Sequence, residues 1–306
     1  MLRFLARRLA AAVPTLLVIV TLAFFLIRSA PGGPFDLERP LDPAVLDNLK
    51  RVYGMDRGLW EQYLTYLKAL LAGDFGPSLV IKDFSVREIF AAGLPVSIRI
   101  GGLALLVALI GGGVLGVIAA LRRNGGVDYV VMVLATLGIS VPTFVTAPLF
   151  QIVFGLMLAW LPVGGWNDGA VRNTVLPVLT LALPQIAVIA RMIRASMVEA
   201  LRAHHIRTLR AQGLSQTTVV MHALRSAVLP VVSYIGPAAA QLLTGSLVVE
   251  TIFGLPGVGR YFIEGALNRD YTLVMGTVVL IAIFVLAFNI LVDFLYAMLD
   301  PRVRYG

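Results

Sequence analysis

"EALRAHHIRTLRAQGL", Glu199–Leu214, sets three arginines, two histidines and a glutamate between two apolar runs of an oily chain. Its reading decides how the chain is threaded. Each arginine at the centre of a lipid-embedded helix would cost about 2.5–3.5 kcal/mol, so the stretch belongs outside the hydrocarbon. As a helix it carries Ile206 and Leu209 on one side and Arg207 and Arg210 on the next, and Gly213 supplies a left-handed stop. Taken alone, it is a basic loop that rests on anionic headgroups.

On either side the composition is that of a membrane protein. Of 306 residues, 58% are hydrophobic and 14% charged, and mean hydropathy is +0.88; a soluble globule carries about 25% charged residues. Apolar length predicts an all-α, polytopic fold with six transmembrane helices: Leu9–Ile27, Ile100–Leu121, Tyr129–Leu161, Thr174–Ala190, Val228–Val249 and Thr272–Val292. Each approaches or exceeds the roughly 20 residues that cross a bilayer. The third is long enough to tilt or break, with Pro142 and Pro148 as the places. The opening "MLRFLARR" with its apolar run is read as an uncleaved first span, because Arg28-Ser29-Ala30 is a poor cleavage site.

Six crossings return both termini to one side. That side collects 13 of the 25 Lys and Arg residues, among them Arg8, Arg122, Arg123, Arg191, Arg194 and those of the opening stretch, against three acids, Asp128, Glu199 and Asp300. The positive-inside bias then puts both termini in the cytoplasm and explains the net charge of +8 without nucleic acid. The segment of about 31–95 is external and folded. "LDPAVLDNLKRVYG" predicts a helix with Asp42 as N-cap, Pro43 at its first position and Gly54 as stop. "LWEQYLTYLKALLAG" aligns Trp60, Tyr63, Leu64, Leu67 and Leu71. These helices either cover the outer ends of the spans or also offer a landing surface to an external partner.

Several chemistries are disfavoured. Without cysteine there is neither a disulfide framework nor a thiolate metal site. His204, His205 and His222, with few carboxylates near them, are a poor metal set. No nucleophile, His-Glu metal or phosphate-cradling motif occurs. "GGGVLG", Gly111–Gly116, sits inside a span and reads as close helix packing. Charges within spans are nearly absent: Asp293 lies near the inner end of the last, where a paired interfacial carboxylate is favoured over a transport group, and Glu250 lies at an outer end. The later helices carry Pro142, Pro148, Pro184, Pro230 and Pro237, which break hydrogen-bond ladders. Gln185, Ser233, Gln241, Thr244 and Ser246 follow the same helices. They either line a path that does not select one charge or make ordinary interhelical hydrogen bonds.

The basic stretch, followed by Leu229-Pro230, resembles the EAA loop of ATP-binding-cassette importer permeases: Glu199, Ala200 and Gly213 match, and Leu201 replaces the second alanine. The likeness continues through "HALRSAVLPVVSYIGPA", "TGSLVVETIFGLPGVGRYF", "GALNRDY" and "LDPRVRY", and upstream through "GDFGPS", "LPVS" and "LPVGGWNDGA". It spans essentially the whole chain and is strongest to the B-type permeases of bacterial oligopeptide importers. The resemblance implies a single permease domain of the type I importer fold over residues 1–306, with a cytoplasmic coupling loop at about 196–226, in the bacterial inner membrane. It implies a second homologous permease, two ATPase subunits that bind ATP and Mg, and an extracytoplasmic peptide-binding protein, with no cofactor in this chain. Ile206 and Leu209 would then enter an ATPase groove, Arg207 and Arg210 would meet its rim, and Glu199, Ala200 and Gly213 would shape the loop. His204 and His205 stand where such loops typically carry acidic and aromatic residues. Dipeptides, glutathione or nickel complexes are alternative cargoes. An ATP-independent carrier or channel is the rival of another class, and it lacks the midplane ionisable groups such proteins need.

Overall fold

The computed structural model describes the backbone of residues 2–30, 32–35, 42–81 and 83–299; of these, the side chains of 2–7, 243–245, 293 and 295–299 are not described. Thr244 and Asp293 therefore fall outside the described side chains. Among the described residues the regular secondary structure is all helical, with one isolated antiparallel bridge between Pro77 and Ser85. The elements are α1 (Leu2–Ser29), α2 (Pro43–Val52), α3 (Leu59–Leu71), α4 (Val86–Leu121), α5 (Gly126–Ser140) and α6 (Thr143–Phe150). After them come α7 (Val171–Ala200), α8 (His204–Ala211), α9 (Gln216–Ala227), α10 (Leu229–Phe253), α11 (Val258–Leu267) and α12 (Tyr271–Leu299).

Four helices, α1, α4, α7 and α12, are each long and apolar enough to cross a membrane. Two bent pairs raise the number to six if each is one span: α5 with α6 and the π-helical turn Gln151–Met157, bent by 104°, and α9 with α10, bent by 48°. The first bend falls at Val141-Pro142, where proline cannot continue the ladder and drives its predecessor into an extended conformation, ψ 117°. Pro148 does not break the chain; it lies inside α6.

Two spans are longer than apolarity predicts. α4 begins at Val86 rather than Ile100, because Ser85 and Glu88 form a capping box: Glu88 N–H donates to Ser85 Oγ at 3.2 Å and Ser85 N–H to Glu88 Oε2 at 2.8 Å. Residues 86–95 are thus the first turns of the same continuous helix. α7 runs ten residues past Ala190 to Ala200, since Arg191 stays exposed and Arg194 finds a carboxylate in Asp128. The two helices meet through glycine. A Cβ at Gly112 would lie 2.8 Å from Ile186 O and one at Gly116 2.6 Å from Ala190 O, so the "GGGVLG" stretch is a close-packing surface for α7.

The main core joins α4, α7, α9 and α10 around Ile100, Leu176, Ile189, Met197, Val219 and Phe253. A second cluster seats α1 (Val20, Phe24) on α12 (Met275, Val279) and buries Tyr63 of α3. The face α3 turns inward is Tyr63, Tyr66, Leu67 and Leu70. Trp60, Leu64 and Leu71, aligned with Tyr63 and Leu67 by periodicity, are exposed. The α2 cap is as predicted: Asp42 accepts from Ala44 N–H at 2.9 Å, and Gly54 takes φ +64°. Large apolar side chains remain exposed along α1, α5 and α6, such as Val13, Leu26, Leu134 and Phe144, as suits helices whose outer faces meet lipid.

Hydrogen bonds identify which ends of the helices gather together. Arg28 at the end of α1 donates to Gln62 of α3. Asp270, just before α12, accepts from Ser78 Oγ (2.5 Å) and Leu79 N–H (3.0 Å). Gly165 N–H, before α7, donates to Phe253 O of α10 at 2.7 Å. At the opposite end lie the α4–α5 turn and the α7–α9 connection, held by Asp128 and Arg194. This second end is the basic one.

Candidate coupling surface and path-lining faces

The segment Glu199–Leu214 folds as the end of α7, a tight turn and α8. Glu199 is exposed on the last turn of α7, and Ala200 beside it is buried. Ala203 begins α8, and a Schellman motif closes it. Gly213 N–H donates to Arg210 O at 3.0 Å, and Leu214 N–H donates to Leu209 O at 3.3 Å. Gly213 holds φ +76°, the left-handed stop expected of it.

The two faces of α8 differ in kind. Arg207 and Arg210 are exposed, with His204, His205 and Thr208 beside them. Ile206 is 0% exposed and belongs to the main core with Met197, Val219 and Ala223, and Leu209 packs partly buried against that core. This corrects the expectation that both apolar side chains enter a partner's groove. An isoleucine with no accessible surface cannot touch a partner; its own chain offers the nearer apolar surface, supplied by α9 folding back. The ridge fastens α8 to the bundle and leaves the cationic face outward.

The candidate path residues separate in the same way. Gln185 of α7 is buried, accepts from Tyr234 Oη at 2.8 Å and donates to Gln241 Oε1 at 3.0 Å. Ser246 is buried as well. Both stand behind the surface, and Gln185 makes the interhelical hydrogen bonds; a side chain with no access to water does not line an aqueous path. Ser233 and Gln241 are exposed, with exposed Pro237 between them at four-residue intervals on α10. Ser233 and Pro237 border a cavity of about 500 Å³ that Arg8 and Thr15 of α1 and Asn289 of α12 also line. Thr15 and Asn289 escaped the sequence reading because each is a lone polar residue in an apolar run; only the packing of α1 and α12 beside α10 brings them to Ser233.

Glu250, near the end of α10 away from the basic face, is completely buried and accepts from Gly259 N–H at 2.8 Å. Ser97 Oγ of α4 accepts from the adjacent Val258 N–H at 3.0 Å. These groups lock α4, α10 and the start of α11 together. Among the described residues no group of three or more His, Cys, Asp or Glu side chains is placed to hold a metal ion.

A helical bundle with several candidate membrane spans, polar faces and a basic helix at one end is built as a membrane permease. The chain belongs to the family of binding-protein-dependent transport system inner membrane components: residues 112–305 match that family, and residues 1–79 match its N-terminal region. It is similar to the oligopeptide transport system permease protein OppB of Salmonella typhimurium, 49% identical over 306 residues and 100% of both chains. The corresponding protein of Haemophilus influenzae is 46% identical over the same full length. The dipeptide transport system permease protein DppB of Bacillus subtilis is 44% identical over 305 residues, 99% of this chain and 98% of the other. The chain is thus a transport subunit of the inner membrane.

Proposed function

We propose that this permease forms half of the translocation path of an ATP-driven oligopeptide importer and works by alternating access. A second, homologous permease completes the path. Two separate ATPase subunits bind ATP and Mg, and an extracytoplasmic peptide-binding protein delivers cargo. This chain carries out no covalent chemistry. Its termini, the α4–α5 turn and α8 face the cytoplasm, a reading supported by the concentration of basic residues there.

The observation that carries the coupling role is a helix anchored on one side and cationic on the other. With Ile206 and Leu209 seated in the core, α8 can pass a displacement to α7 and α9 without slack. Arg207 and Arg210 meet acidic groups of an ATPase subunit, Glu199 and Ala200 end α7 at the correct point, and Gly213 turns the chain away. ATP-driven closure of two ATPases is a rigid-body motion, and a docked helix transmits it to the attached spans. Ser233 and Gln241 face the path. The uncharged side chains of α10 there suit a cargo with variable side chains, whose selection rests with the binding protein.

Oligopeptides are favoured as cargo by the OppB relatives, full-length and up to 49% identical. The DppB relative at 44% keeps dipeptides as the second reading. The test is reconstitution of the whole complex in vesicles with labelled penta- and dipeptides. ATP-dependent uptake of the longer peptide, abolished when the ATPase pair is left out, is expected. Uptake by this chain alone without ATP would overturn the reading in favour of a self-sufficient carrier. Equal exclusion of both peptides would overturn the cargo.

A further inference from the structure

Asp128 lies in the first turn of α5 and is almost completely buried. Arg194 reaches it from α7 as a two-pronged fork, Nε to Oδ1 at 2.5 Å and Nη2 to Oδ2 at 2.6 Å. Oδ2 also accepts from Asn124 N–H at 2.9 Å, within the turn that joins α4 to α5, where Asn124 holds φ +61°. The carboxylate therefore fixes the turn and the arginine together. A bidentate pair sets orientation as well as distance, and Asp128 has almost no surface through which water could take the place of this partner.

What the fork joins gives it meaning. Arg194 stands six residues before the end of α7, and after a three-residue turn the chain enters α8. Asp128 stands at the root of the α5–α6 pair, bent by 104°. Among the described residues the fork is the one hydrogen-bonded tie between α5 and α7. Further along, the same helices touch through small groups: a Cβ at Gly138 would lie 3.3 Å from the Ala187 Cβ. One end of the α5–α7 contact is pinned, and the other is smooth.

We infer that the Asp128–Arg194 fork is a positioning tie that carries displacement of the α7–α8 segment into the bent α5–α6 element, with α5 pivoting about the pinned end. This rests on the reading of α8 as the motor-facing helix. Without the fork, a push on α8 would still reach α7 and α9, but α5 would slip over the smooth contact.

The test uses the assembled complex in vesicles. Asp128→Asn and Arg194→Gln are each expected to lower the ratio of peptide taken up to ATP hydrolysed at least tenfold, while the ATPase subunits still co-purify. Asp128→Glu, which keeps the charge, is expected to recover part of the ratio. An unchanged ratio in both single variants, or a loss of uptake that only follows a loss of assembled complex, would overturn the tie. Because the chain has no cysteine, spin labels placed at exposed Val130 and at exposed Gln212, the C-cap of α8, give a measure independent of the Asp128 and Arg194 variants. The distance between them is expected to stay constant between nucleotide-free and ATP-trapped complexes. A change would mean that α5 and α8 move independently, and the inference fails. If the unaltered chain does not retain an ATPase at all, the coupling reading fails first and the tie falls with it, a result distinct from normal assembly with unaffected variants.

Discussion

Two side chains in the bundle carry opposite lessons about burial. Tyr66 of α3 packs beside Phe24, and its hydroxyl is buried with no hydrogen-bond partner among the described residues. Burial pushes its phenol up to about 12 from the ordinary 10.0. The neutral ring thus stabilises the fold fully below the ordinary value, and that contribution is lost as pH rises through about 12. Difference absorbance between the unaltered protein and Tyr66→Phe is expected to show this phenolate ionising near 12 rather than 10. An unsatisfied buried hydroxyl costs about 1–3 kcal/mol, so Tyr66→Phe is expected to leave stability unchanged or raise it by about 1 kcal/mol. Thermal unfolding in detergent measures it. Ile206 is the reverse: its side chain is complementary to the site it fills. Ile206→Ala should destabilise by about 2–5 kcal/mol, with much of the effect local to α8. Faster proteolysis at Arg207 and Arg210, with the span cores still protected, would register the loosening.

Among the elements, the α4–α7 contact is the most exacting. At Gly112 and Gly116 the approach leaves no space for a methyl group against the α7 backbone. Gly116→Val forces the helices apart over the main core, and a sharp drop in folded yield is expected, read by size-exclusion profile and melting temperature. Gly213 is exacting for another reason. It stands in open space but at φ +76°, where a β-carbon costs about 1–2 kcal/mol. Gly213→Val should therefore leave the bundle folded while re-aiming the exit from α8, so that ATP-coupled uptake falls and docking of the peptide-binding protein is retained. Unchanged uptake would count against a role for this turn in coupling.

At the scale of the whole molecule, one end gathers exposed cationic side chains and the other is knitted by buried carboxylates. Glu250 and Asp270 each gather backbone N–H groups from a neighbouring segment, which ties the loops of the far end to the helices. The basic end, by contrast, offers Arg207 and Arg210 to whatever approaches it. Docking through exposed arginines is screened by salt, since the Debye length shortens from about 10 Å at 0.1 M to about 3 Å at 1 M. Retention of the ATPase subunits by the purified permease is expected to weaken over that range. Arg207→Glu with Arg210→Glu should abolish it even at low salt. Retention that ignores both changes would move the contact elsewhere.

Much of this architecture was legible in the chain itself. Apolar length and Lys/Arg spacing mark the spans; Asp42-Pro43 and Gly213 mark ends that local backbone chemistry enforces; and Gly111–Gly116 announces a close helix contact. Each of these features is carried by a short stretch of residue types, so sequence suffices to read them, although the partner of the glycine surface is not named there. The rest was decided by distant partners. α7 continues to Ala200 with Arg194 paired to Asp128, 66 residues away. Ile206 turned inward because α9 folds back to cover it. Gln185 proved to be a bridge to α10 and not a surface group, and Thr15 joined Ser233 and Asn289 only where α1 and α12 flank α10. Periodicity can say which residues share a face, but which face is buried depends on what packs against it, and that is a property of the tertiary structure alone.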